Sequence, residues 1–255
     1  MKLLKSNNPM LNKKAIAKTI ALDKDKIKRG GGPIIETLDH MTVSGAVTKT
    51  IILTMIMFAV ACVTYQMPSK LFMTVGALGS AGVYFLTSWK PHLSPMTAPV
   101  YAVLQGLFVG SVSAVYAAGY EGIVFQAVLA TVTALLVMLV VYKTGLIKVT
   151  QKFRMVVSML VGAIMIVYLA SWVGSLSGWF QVPFLHENGL IGIGITCFIL
   201  VVASLNLLLN FDSFEQGEAM QAAKHYEWYF GMGLLFTLVW MYVEFLRLIS
   251  KLQSD

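Results

Sequence analysis

Five acids crowd the last part of the chain: Asp212, Glu215, Glu218, Glu227 and Glu244. Each lies within or beside a run of Leu, Val, Phe and Met, where an ionised side chain costs roughly 2.5–3.5 kcal/mol on insertion scales. Such groups persist where they face water, a partner or an ion. Two carboxyls at close range do not both ionise cheaply, so they share a proton. Fully ionised, the same two make a doubly charged oxygen site. Calcium takes about six to eight oxygens, so two carboxylates with amides and water would hold it weakly. Weak holding suits an ion that must also leave. Asp212, flanked by Leu207-Leu208-Leu209 and Phe211, heads the candidates.

The neighbours of these acids have their own geometry. Asn206 and Asn210 are four residues apart and share a helix face. Asp212 lies about 160° round from Asn210, at about 100° per residue, while Glu215 falls on the side of Asp212. Asp212, Glu215 and Glu218 also fit a solvated helix end. Glu244 has Arg247 at i+3, a spacing that makes an ion pair on one helix. Glu227, before Trp228, fits an acid at a helix N-terminus. Glu227 and Glu244 are seventeen residues apart, or about 25 Å of helix.

Other chemistries fail on residue type. His186-Glu187 opens like a zinc-protease motif, but Leu190 stands where the second histidine belongs. Gly174-Ser175-Leu176-Ser177-Gly178 has leucine where a serine elbow needs its nucleophile. Asp23-Lys24-Asp25 lacks the glycine and glutamate of a calcium loop, and Gly30-Gly31-Gly32 lacks the Gly-Lys-Ser of a phosphate loop. His40, His92, His186 and His225 are scattered among loops and ends. No nucleophile is set beside a base, so no catalysis and no resident cofactor are expected.

The elements that must position the acids are membrane spans. The chain has 255 residues, 57% of them hydrophobic and 12% charged, against about 25% charged in soluble domains. A bilayer core needs about 20 mostly apolar residues per helix. Seven stretches qualify: Gly45–Tyr65, Leu71–Trp89, Met96–Ala118, Glu121–Tyr142, Met155–Trp172, Asn188–Phe211 and Trp228–Leu248. They lack the period-two alternation of a transmembrane β-barrel. The fold class is therefore an all-α integral membrane protein with seven transmembrane helices, residues 45–255, after a polar, basic tail, residues 1–44.

The net charge of +7 does not indicate nucleic acid, because of its placement. Ten of nineteen Lys and Arg fall within residues 1–49, and Lys90, Lys143, Lys148, Lys152, Arg154 and Lys224 follow in alternate loops. The positive-inside rule puts the N-terminus in the cytoplasm and, after seven crossings, the C-terminus outside. Cys62 and Cys197 fall within spans and are expected as small buried hydrophobes without a disulfide. Gly106 with Gly110, Ala77 with Ala81 and Gly174 with Gly178 are spaced for close helix packing. Trp89, Trp172, Trp179, Trp228 and Tyr65 fit an interfacial belt. Gly189, Gly192 and Gly194 are the one hint of a broken helix, as a carrier of small solutes would need.

Four segments together resemble a known family. They are Ser6-Asn7-Asn8-Pro9-Met10-Leu11, Thr42-Val43-Ser44-Gly45-Ala46-Val47-Thr48-Lys49-Thr50, Asn210-Phe211-Asp212 and Met241-Tyr242-Val243-Glu244-Phe245-Leu246. In that order, across seven spans, the chain resembles the Bax-inhibitor (TMBIM-like) family of small seven-helix membrane proteins, and more closely its bacterial branch. The resemblance implies six helices around a central seventh, in a bacterial cytoplasmic membrane. It implies a pH-sensitive calcium leak gated by two acids on spans six and seven. The span-six aspartate falls on Asp212, with Phe211 in place of a tyrosine, and the span-seven acid falls on Glu244, with glutamate in place of aspartate. The basic cluster after span two falls near Lys90, the one base left there to latch an acid. Motif order pairs Asp212 with Glu244; hairpin geometry pairs it with Glu227. A rival expectation is a non-transporting regulator whose basic tail docks on a membrane-bound partner such as a quality-control protease.

Overall fold

The computed structural model describes residues 40–177 and 189–254. Seven helices long and apolar enough to cross a bilayer succeed one another. They are α1 (Val43–Gln66), α2 (Lys70–Trp89), α3 (Ser94–Gly119), α4 (Ile123–Lys143), α5 (Gln151–Ser177), α6 (Leu190–Ala219) and α7 (Tyr226–Gln253). Apart from one isolated bridge, His40 with Ala223, no strand pairing occurs among the described residues. The protein is an all-α, seven-span membrane protein.

Local chemistry sets the helix ends. The Thr42 side chain accepts the Gly45 N–H at 2.9 Å and caps α1, and Ser69 accepts the Leu71 N–H at 3.2 Å to cap α2. Pro91 opens a 3₁₀ turn that leads into α3. Gly122 and Gly145 turn the chain at φ 70° and 67°, the left-handed region that glycine enters without steric cost. Most helices run past their apolar stretches, since backbone hydrogen bonding continues beyond the hydrocarbon. α6 goes on from Phe211 to Ala219, so Asp212, Glu215 and Glu218 are helical residues and not a trailing end. α6 is also unbroken from Leu190 onward, with Gly189 as its N-cap, which removes the hint of a broken helix.

α7 is the central element. In its most apolar window 61% of residues are buried, against 6% for α5 and 17% for α1, α2 and α4. It packs directly on α1, α3, α4 and α6. Tyr84 reaches it from α2, its ring 5.1 Å from that of Phe236, and Tyr168 reaches it from α5 with a 2.6 Å hydrogen bond to Glu244. Six helices thus surround the seventh.

Close backbone approach between α1, α2 and α3 needs small residues. A Cβ at Gly106 would lie 2.7 Å from the Met57 carbonyl, and one at Gly110 would lie 2.9 Å from Thr64 Cβ. On α2 the seam is Gly76, whose added Cβ would lie 2.6 Å from the Phe108 amide, together with buried Ser80. Ala81 is exposed, so the expected Ala77–Ala81 pair gives way to a seam one residue earlier. Gly178, Trp179 and the Trp172 side chain lie outside the described residues. Cys62 and Cys197 are free thiols on the outer surface, not buried as expected, because both face away from the bundle core.

Residues 40–42, read as part of the tail, are anchored. Met41 donates its N–H to the Ala222 carbonyl at 2.8 Å, and His40 Nδ1 lies 3.0 Å from the Gln221 carbonyl oxygen. The tail before His40 lies outside the described residues.

Gly110→Leu should destabilise the fold by about 2 kcal/mol through overpacking. Gly82→Leu, where an added Cβ meets nothing within 4 Å, should be near neutral. Reversible unfolding in mixed micelles measures both. A reporter active only outside the cytoplasm should work when fused after Asp255 and fail when fused before Met1.

Candidate functional site

A polar layer fixes the register of α6 against α7. Asn206 and Asn210, one turn apart, both donate from Nδ2 to Thr237 Oγ1, at 2.9 and 2.8 Å. Thr237 in turn bonds back to the Gly233 carbonyl at 3.2 Å. Thr237 is fully buried, and a cavity of about 70 Å³ opens beside it, lined in part by Tyr84, Asn206, Asn210, Ser213 and Thr237. A water needs about 10–15 Å³ of such space, so several fit.

Two arginine–carboxylate pairs stand on either side of this layer. Toward the end carrying Lys49, Lys90 and Lys143, Arg154 of α5 pairs with Asp212 of α6. Gln216 completes the group: its Nε2 donates to Asp212 Oδ2 at 2.6 Å, and its Oε1 accepts from Arg154 at 3.2 Å. Next to it Tyr142 of α4 donates to Glu215 at 2.6 Å. Toward the opposite end, Arg247 Nη1 donates to both oxygens of Glu244, at 2.9 and 3.1 Å. Tyr168 of α5 donates to the same carboxylate at 2.6 Å. Glu244 is 1% exposed. Further along, buried Lys251 donates to the Gly192 carbonyl at 3.0 Å and to Thr196 Oγ1 at 3.2 Å, joining α7 to the start of α6.

These positions correct the expected acid pair. Thr237 is level with the middle of the Asn206–Asn210 turn. From that level Asp212 lies toward one end and Glu244 toward the other, so about 16 Å of helix axis separates them at 1.5 Å per residue. Glu227 lies about 9 Å beyond Asp212 on the same scale. Asp212, Glu244 and Glu227 therefore share no proton and build no common calcium site. Among the described residues no group of three or more His, Cys, Asp or Glu is placed to hold a metal. The cause is the antiparallel register, which brings asparagine amides to threonine at mid-depth and sends the acids to opposite ends.

Glu227 has a structural partner instead. Its carboxylate accepts the Thr42 N–H at 3.1 Å and the Thr42 hydroxyl at 3.4 Å. It thus sits at the N-terminus of α1 as well as in the first turn of α7, where negative charge is favoured. A side chain at Gly45 would overlap this carboxylate. Glu218 accepts the Val43 N–H beside it at 3.3 Å.

The remaining expected residues fall as follows. The Asn206–Asn210 face turns to α7 and Asp212 turns to α5, in keeping with their angular separation. Lys90 ends α2 through its own N–H, bonded to Leu86, and its side chain is exposed. The base beside Asp212 is Arg154, fifty-eight residues away in sequence. Arg247 is the i+3 partner of Glu244. Arg154, Tyr142, Tyr168, Thr237 and Lys251 were missed as site residues. Only Lys251 and Arg154 carried a signal, as charges beside an apolar span.

A family model described as "Bax inhibitor 1 like" matches residues 7–254. The chain belongs to the Bax inhibitor 1-like family. No curated protein and no solved structure matched it. The match spans all seven helices of this Bax inhibitor 1-like protein and both ion pairs.

Arg247→Ala should cost about 3 kcal/mol, because it leaves a buried carboxylate without its cation. Arg247→Met with Glu244→Leu should cost less than Arg247→Ala alone, since no bare charge remains. Unfolding midpoints of the three proteins in micelles decide the point.

Proposed function

We propose that this protein is a pH-sensitive cation leak, with calcium as cargo, whose path follows the α6–α7 seam and is held shut at each end by an arginine–carboxylate pair. The observation that carries this reading is the polar cavity at Asn206, Asn210 and Thr237, lying between Asp212–Arg154 and Glu244–Arg247. Polar groups at membrane depth mark ion and proton paths. Single carboxylates spaced along the seam would act as weak successive stations, so that a bound ion can move on.

The gate works by charge. With Asp212 ionised, Arg154 ties α5 to α6. Protonation removes the attraction, and Arg154 no longer bridges the two helices. Acid therefore loosens this end and alkali tightens it. The Glu244–Arg247 pair lies within α7, and its tie to α5 runs through Tyr168.

Calcium flux into proteoliposomes tests the reading. Wild-type flux should rise as pH is lowered, because protonating Asp212 removes its attraction to Arg154. Asp212→Asn should be open throughout, with flux at the alkaline end raised about tenfold, the equivalent of about 1.4 kcal/mol of lost attraction. Equal and pH-independent flux in both proteins would remove the proposal. No flux in either would favour a non-transporting regulator of a membrane partner.

A further inference from the structure

We infer that Trp240 is the plug between the mid-membrane cavity and the Glu244 pair, so that displacing its indole ring joins the two. The inference rests on the leak reading above and adds the residue that separates its compartments.

Three observations place the ring there. Thr237, Trp240 and Glu244 follow at i, i+3 and i+7 on α7, one stripe of the helix. Thr237 faces the cavity and Glu244 faces Tyr168 of α5. Trp240 therefore lies between them, about 4.5 Å along the axis from Thr237 and about 6 Å from Glu244. It belongs to the core cluster that includes Val202 and Ala203 of α6, with Met165 and Tyr168 of α5 packed against that cluster. Its ring lies 6.4 Å from that of Phe236, and Phe236 lines the cavity. The indole is thus the next apolar layer on the path outward from the cavity wall.

The third observation concerns the indole nitrogen. Trp240 is 7% exposed, and its Nε1 has no hydrogen-bond partner among the described residues. A buried N–H without an acceptor is costly, and native proteins leave few. Glu244 stands at i+4, a neighbouring position on the same helix face. Its oxygens are held by Arg247 and Tyr168. When that pair loosens, a carboxylate oxygen becomes available to the indole N–H, and a ring that turns to reach it leaves the cavity mouth. The ring is the barrier when shut, and its N–H gains a partner when open. On α7 Lys251, further out beside Thr196 of α6, also acts on Glu244; from α5 Tyr168 faces the pair, and from α3 Tyr116 lies near Arg247.

Cysteine accessibility tests the plug without relying on transport. In a background with Cys62→Ser and Cys197→Ser, Thr237→Cys reports the cavity, and a charged, membrane-impermeant methanethiosulfonate in micelles is the probe. With Trp240 present, the cysteine should react slowly. With Trp240→Ala, it should react at least about tenfold faster. Trp240→Leu, which keeps much of the packing, should fall between and serves if the alanine variant does not fold. Trp240→Phe should stay as protected as the parent, yet show calcium flux about fivefold lower in proteoliposomes, because the ring is retained and the N–H that favours the open form is gone. Labelling of the alanine and leucine variants no faster than the parent would overturn the plug, whatever the flux. Absence of flux in every protein, with labelling as expected, would overturn the leak reading and leave the plug standing.

Discussion

An ionised group inside an apolar bundle must be matched by an opposite charge or a set of donors, because its solvation is lost and nothing else replaces it. That constraint organises this protein. Three carboxylates of α6 and α7 have distinct answers: Arg154 and Gln216 for Asp212, Arg247 and Tyr168 for Glu244, the amide and hydroxyl of Thr42 for Glu227. The answers come from α5 and α6 for Asp212, from α7 and α5 for Glu244 and from the start of α1 for Glu227. Satisfying them ties α5 to α6 at one depth, α5 to α7 at a second and the start of α1 to α7 at a third.

Between the two arginine pairs the polarity changes kind. The mid-depth layer is neutral, built from two amides and a hydroxyl, so it bears no charge penalty and sets the α6–α7 register. Its cavity has room for several waters beside hydrogen-bonding side chains. In the leak proposed above, protonation would act at the two charged pairs and leave this neutral middle layer unchanged.

The basic-loop end has a further tie. Residues 40–42 lie along the α6–α7 connection through Met41 and Ala222, and Glu227 and Glu218 hold the first amides of α1. Gly45 is required there because the Glu227 carboxylate occupies the space of its missing side chain. The segment leading out of the tail is therefore joined to the two helices that carry the candidate path.

The sequence by itself determined the class, the number of spans and the identity of the unusual acids, because apolar run length and the rarity of charge at membrane depth are local properties. It also indicated that Asp212 need not share the Asn206–Asn210 face, since helical angle depends only on spacing, and it offered Arg247 as the partner of Glu244 for the same reason. Resemblance alone had pointed to a central seventh helix, which the packing bears out. Only the tertiary structure decided which residues meet across helices. Arg154 reaches Asp212 over fifty-eight positions, Tyr168 reaches Glu244 over seventy-six, and Thr42 reaches Glu227 over one hundred and eighty-five. Those meetings depend on the sliding register of antiparallel helices. A shift of one turn changes every contact while leaving each helix's own pattern intact, so no periodicity within a single span could have chosen among them.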